Sequence, residues 1–249
     1  VGRGWTVGLA NEAALKLRES NQMWVEAYPA MEYRHGPISI AEPGRVVWAI
    51  GEVPEGLADD VAAFMDAVKL EKADVFGYSM GAAAALQLAI RHPEKVNKLA
   101  AASVAYDAEG WQPEFKAVIP QMTVEMIVGL PFAEDYRKLA ANPDGFPELA
   151  RKLIQLEKEP MAWEADVKAL KAPVLIIAGD ADVATLDHNV AMFRLLGGGA
   201  MGDMGKPLSA SRLAILPATS HTAVINQTDL LYAFIEPFLK GETPKGMFP

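Results

Sequence analysis

The sequence predicts an α/β fold: a mostly parallel sheet with helices on both faces, interrupted once by a helical insertion. Short apolar runs alternate with helical stretches along the chain, which is the pattern of strands joined by crossover helices. The run RVVWAI at 45–50 is β-branched and unpatterned, as a strand buried on both faces is, and further short strand-like runs stand at 74–78 and 174–178. Between the strand-like runs at 98–104 and 174–178 lies a segment, 106–170, with Met, Trp, Phe and Leu at helical spacing and no strand signal.

In chain order, a helix is expected over 11–20, with Asn11 as its N-cap. A segment punctuated by Pro and Gly follows at 28–44 and carries Glu32, Arg34 and His35. The strand RVVWAI at 45–50 leads through the loop GEVPEG into a helix at 57–68, whose apolar residues Val61, Phe64, Met65 and Val68 keep helical spacing. A strand at 74–78 then meets a helix at 80–91, which His92 and Pro93 end. After the strand at 98–104 the helical insertion is broken at Pro120, Pro131, Pro143 and Pro147; at this place in an α/β sheet it is expected to be a lid over the strand ends. The strand at 174–178, a glycine-rich loop at 197–207, a strand at 213–216 and a helix at 228–239 packed on the sheet complete the reading.

The 249 residues are 51% apolar, which excludes a disordered chain, and the 20 Gly and 17 Pro follow no period. With no cysteine, a disulfide scaffold, a thiolate zinc site and a cysteine nucleophile are all excluded. The net charge of −9 repels nucleic acid and anionic membrane surfaces, and no apolar stretch approaches the roughly 20 residues of a membrane span. A cytoplasmic protein with no cofactor and no metal is expected. Val1 reads as the end of a strand, so a segment upstream is expected as well.

The sharpest motif is Gly77-Tyr78-Ser79-Met80-Gly81, set between a strand and a helix. A nucleophilic serine at such a turn is strained and crowded, so both flanking positions are expected to need glycine. The helix N-terminus would turn the Met80 N–H toward a developing oxyanion. A serine needs a base held by an acid. Of the four histidines, His35 is N-terminal, His92 ends a helix and His188 falls just inside one, whereas His221 follows the last strand in a loop. For the acid, Asp180, Asp182 and Asp187 compete in the loop after VLIIAGD. Asp180 is placed to cap the turn, and Asp182, further out, is chosen as the one able to reach an imidazole.

From about 57 to 240, through GYSMG, the GDAD loop and LPATSH, the chain resembles the serine esterase/lipase-like branch of the α/β-hydrolase superfamily. The resemblance implies a truncated α/β-hydrolase core with a helical lid and a small-molecule ester as substrate. It makes Ser79 the nucleophile, His221 the base, Asp182 the acid and Met80 N–H one oxyanion donor. A complete hydrolase of this branch has further strands and an H-G loop at its front, and this sequence has neither. Instead, 1–59 resembles part of a sugar isomerase (SIS) domain, through GRGWTVGLANEAALKLRES and AYPAMEYRHGP. In that family the residues matching Glu32 and His35 take part in sugar-phosphate isomerisation; without the family's phosphate loop they are read here as structural.

The chain is therefore read as a hybrid, with 1–59 completing the sheet of a hydrolase core at 60–249 and a lid at about 106–170. The strand at 45–50 is expected beside the nucleophile strand, so that Gly51 or Glu52 N–H supplies the second oxyanion donor, although the Glu52 charge opposes an anion there. A homo-oligomer is expected, with a second copy covering an otherwise exposed sheet edge. An inactive structural hybrid and a sugar-phosphate isomerase or binding module are the alternatives to a serine esterase.

Overall fold

A computed structural model describes residues 54–140, 142–202 and 208–243. The elements expected at 11–20, 28–44 and 45–50 lie outside the described residues, as do Glu32, His35, Gly51 and Glu52. In chain order the strands are β1 (Ala73–Tyr78), β2 (Val96–Ala102), β3 (Val174–Ala181) and β4 (Arg212–Ser220). The helices are α1 (Pro54–Ala67), α2 (Met80–Arg91), α3 (Pro113–Val118), α4 (Val124–Val128), α5 (Phe132–Leu139), α6 (Phe146–Glu157), α7 (Glu164–Lys168), α8 (Leu186–Leu195) and α9 (Thr228–Leu239). The described residues form two compact units, one of 54–65, Leu70–Lys116 and the described chain from Pro160 onward, the other of Asp66–Lys69 with Ala117–Glu159.

In the first unit the four strands pair in sequence order, every pair parallel. Side chains alternate across the sheet, so that Leu99, Ala101, Val174 and Ile176 pack with Ala58, Leu86, Val167 and Met192 of α1, α2, α7 and α8. On the opposite face Ala100, Ala102, Leu175, Ile177, Ala214 and Leu216 pack with Val224 and with Leu231 and Phe238 of α9. Helices therefore cover both faces, as expected. Leu99, Leu175, Ile176 and Ile177 are at most 1% exposed. At about 1.5–3 kcal/mol per buried side chain, this central layer is what fixes the strand ends from which the site is built.

Local chemistry explains where elements start and stop. The helix α2, MGAAAALQLAIR, combines the strongest helix former with side chains small enough for close approach to the sheet, and Pro93 stops it. α1 begins at Pro54, earlier than the expected residue 57, because proline suits the first helical position. Its buried face is centred on Ala58, Ala62 and Met65; Val61, Phe64 and, just past the helix end, Val68 are only partly covered. β2 spans 96–102 rather than 98–104 because Ser103 takes a positive φ of 58° and turns the chain out of the sheet. β4 runs on to Ser220, beyond the expected 213–216, since Asp180 accepts hydrogen bonds from Ala218 N–H at 2.9 Å and Thr219 N–H at 3.0 Å.

The second unit is helical, with α5 and α6 packed through Ala133, Tyr136, Phe146 and Leu149. Its stretch Ala117–Glu159 falls within the segment 106–170, where no strand lies among the described residues between β2 and β3. Residues flanking it bond to each other in the first unit, Trp163 N–H to Tyr106 O at 2.8 Å and Ala108 N–H to Met161 O at 3.1 Å. The prolines expected as breaks open structure instead: Pro120 and Pro143 lie in 3-10 turns, Pro131 precedes α5, and Pro147 is in the first turn of α6. Among the described residues no helix is long and apolar enough to cross a membrane.

Candidate active site

At the end of β1 the chain reverses into α2 within one residue. Ser79 makes that turn with φ 53° and ψ −123°, a region that non-glycine residues occupy at a cost of about 1–3 kcal/mol. Its N–H bonds to Ala102 O at 2.9 Å, which ties the turn to β2. The first N–H groups of a helix have no carbonyl partner within it, so Met80 N–H belongs to a positive helix end beside the Ser79 side chain.

The two glycines of the motif are not equivalent. A Cβ on Gly77 would sit 2.3 Å from Gly81 O and 2.6 Å from Ala82 Cα, both backbone atoms, whereas a Cβ on Gly81 would meet nothing within 4 Å. The expectation that both flanks must be glycine is corrected: the constraint is on Gly77. Gly77→Ala is accordingly expected to lower stability by about 1–3 kcal/mol or more through overpacking. Gly81→Ala is expected to be neutral or slightly stabilising, as alanine favours the helix. Thermal melts of the two variants check the contrast.

Three residues distant in sequence converge at this turn. Ser79 Oγ lies 2.9 Å from His221 Nε2, and His221 Nδ1 lies 2.7 Å from Asp182 Oδ1. His221 stands just past β4 at the start of a 3-10 turn, with its side chain 23% exposed, while the Asp182 side chain is fully buried. Burial raises the Asp182 pKa, but hydrogen bonds from His221, Ser103 and Gly179 outweigh it and hold the carboxyl below its usual value. All four contacts to that carboxylate are with donors: Oδ1 takes His221 Nδ1–H and Val183 N–H (2.7 Å), and Oδ2 takes Ser103 Oγ–H (2.6 Å) and Gly179 N–H (3.2 Å). Tyr78 adds a brace by donating its hydroxyl to His221 O at 2.8 Å.

The other candidates lie elsewhere. Asp180 holds the β4 backbone and is kept ionised by the Ala218 and Thr219 N–H groups. Asp187 is exposed in the first turn of α8. His92 is on the surface with Asp59, whose carboxyl is lowered to about 2 by hydrogen bonds from Arg91 and His92. His188 is buried, and burial pushes its pKa down; its Nε2 accepts Tyr106 N–H at 3.1 Å and its ring stacks on Tyr106 at 4.1 Å. Gly110 leaves room for that ring, since a Cβ there would lie 2.3 Å from Nδ1. His188 thus props the segment whose Gln112 N–H and Gly110 O bond to Val183 O (2.8 Å) and Thr185 N–H (2.9 Å) of the Asp182 loop. Ser103, Gly179, Val183 and the Tyr78 hydroxyl are contacts the sequence reading did not pick out, because no motif marks them. Among the described residues, no group of three or more His, Asp or Glu is arranged to hold a metal ion.

Comparison with known proteins bears on the fold. Residues 50–126 match the family model for the alpha/beta hydrolase fold. A pimeloyl-[acyl-carrier protein] methyl ester esterase of Neisseria meningitidis is 28% identical over 241 residues, covering 85% of this chain and 68% of that protein. A meta-cleavage product hydrolase from Pseudomonas fluorescens superposes with a TM-score of 0.53 at 17% identity, over 96% of this chain and 89% of its own. A second, shorter likeness is to the isomerizing glutamine–fructose-6-phosphate aminotransferase of Aeropyrum pernix, 50% identical over 50 residues, or 20% of this chain. The chain spans only 8–12% of the length of four such aminotransferases. A parallel sheet with helices on both faces, a serine at a strand-to-helix turn and these likenesses together give the chain an alpha/beta hydrolase fold, alongside a short stretch similar to sugar-isomerising aminotransferases.

Proposed function

We propose that the protein is a serine hydrolase that cleaves carboxylic esters through an acyl-enzyme. The observation that carries this reading is the unbroken chain from Ser79 Oγ to His221 to the buried Asp182, at 2.9 and 2.7 Å, on a strained turn at a helix N-terminus. His221 takes the Ser79 proton on Nε2 as Oγ attacks the acyl carbon. Asp182 fixes the tautomer by accepting from Nδ1 and offsets the charge of the imidazolium. Met80 N–H stabilises the oxyanion; Gly51 and Glu52, the sequence candidates for a second donor, lie outside the described residues. His221 then protonates the leaving alkoxide, the C–O bond breaks, and a water deprotonated by His221 attacks the acyl-enzyme to release the acid and restore Ser79.

The name of the methyl ester esterase relatives supports an ester of a carboxylic acid as substrate, and short or medium acyl chains are the proposed range. A division into a sugar-isomerase-like segment at 1–59 and a hydrolase core at 60–249, and assembly into a homo-oligomer, belong to the same reading; light scattering tests the assembly. For the function, the purified chain is incubated with p-nitrophenyl acetate and butyrate and, separately, with a fluorophosphonate probe. Turnover of either ester with labelling at Ser79 is the expected result. Absence of both would remove the proposal.

A further inference from the structure

We propose that Ser103 is a positioning residue that acts through its hydroxyl to hold the Asp182 carboxylate toward His221, an inference that rests on the triad reading above. Ser103 directly follows β2, is 1% exposed and has a φ of 58°. Glycine would adopt that backbone without strain, so a buried serine kept there points to a use for its side chain. That use is visible: Oγ donates to Asp182 Oδ2 at 2.6 Å, the shortest of the four contacts to the carboxylate.

The other donors do not do the same work. Gly179 and Val183 offer N–H groups from the strand end and loop that carry Asp182 itself, so they travel with it. His221 is the group to be positioned. Ser103 alone among the four anchors the carboxylate to β2, and its own N–H is fixed on Ile177 O at 2.8 Å. The residue before it, Ala102, accepts the Ser79 N–H at 2.9 Å. Two consecutive residues at the end of β2 therefore hold the backbone of the proposed nucleophile and the carboxylate of the proposed acid in one frame. A displacement of Asp182 relative to Ser79 has to break one of those two bonds.

Ser103→Gly is the informative variant, because it removes the hydroxyl while relieving the backbone, and Ser103→Ala removes the hydroxyl while keeping the strain. Both are expected to lower kcat for p-nitrophenyl acetate about 10- to 100-fold, the scale of a hydrogen bond to a charged group, with KM changed less than about twofold. The second readout is independent of activity: the carboxyl carbon-13 resonance of Asp182, assigned by its loss in Asp182→Asn, is expected to titrate at higher pH in Ser103→Gly than in the parent chain. Wild-type kcat in Ser103→Gly, or an unmoved titration, overturns the proposal. If the parent chain hydrolyses no ester and takes no fluorophosphonate label, the esterase reading fails, and the Asp182 titration still decides the role of Ser103.

Discussion

Ser79→Ala is expected to lower kcat for p-nitrophenyl butyrate by about 10⁶-fold and to abolish fluorophosphonate labelling, the loss seen when a triad nucleophile is deleted. Alanine removes only Oγ; the turn, its φ of 53° and the Ala102 contact to the backbone N–H are unaffected, so thermal stability should move by no more than about 1 kcal/mol. The pairing of those two outcomes matters. A variant that keeps its melting temperature and loses turnover locates the chemistry in one oxygen atom. Hydrolysis persisting at the parental rate would mean that another group attacks the ester, and the Ser79–His221 contact at 2.9 Å would then be an ordinary hydrogen bond.

The strand-to-helix turn at Ser79 is legible because its signals are local. Gly77 and Ser79 lie between a strand and an alanine-rich helix that Pro93 ends, and each feature can be read from neighbours in sequence. The bounds of α2 and α9 follow for the same reason, from composition, spacing and breakers. Choosing Asp182 over Asp180 required only reach, since Asp180 at the strand end is closer to the β4 backbone and is spent on Ala218 and Thr219.

What the sequence concealed depends on contacts across the sheet. No pattern in LAAASV says that Ser103 leaves the strand at positive φ, because the reason is the position of Asp182, 79 residues away. Gly81 looked as constrained as Gly77 because a motif carries no distances; only the β1–α2 packing shows which flank is crowded. The tie between Tyr106 and Trp163 is hidden for a similar reason, as it is a backbone bond between residues that no local periodicity connects.

Asp182→Asn is expected to cost about 10⁴ in kcat, and the hydrogen-bond inventory says why a change of one atom matters. The carboxylate accepts four hydrogen bonds and donates none. An asparagine must turn its amide NH2 toward one of the two donor pairs. Facing Ser103 and Gly179, it opposes the Gly179 N–H, though the Ser103 hydroxyl can rotate to accept. Facing His221 and Val183, it forces Nδ1 to become the acceptor, so the ring proton moves to Nε2 and Ser79 loses its base; a wrong tautomer of this kind costs about 10⁴ in the comparable serine protease substitution. The same inventory sets the pH dependence of stability. Because the folded carboxyl titrates below its unfolded value of about 3.9, ionised Asp182 stabilises the parent chain above that value, and the contribution is lost as pH falls through the lower folded one. Melting temperatures of the parent and Asp182→Asn should therefore differ by a constant amount near neutral pH and converge in acid, where the protonated carboxyl, like the amide, brings a donor to a site made of donors. A gap that stayed the same at every pH would show that the carboxylate charge is not what those four groups hold.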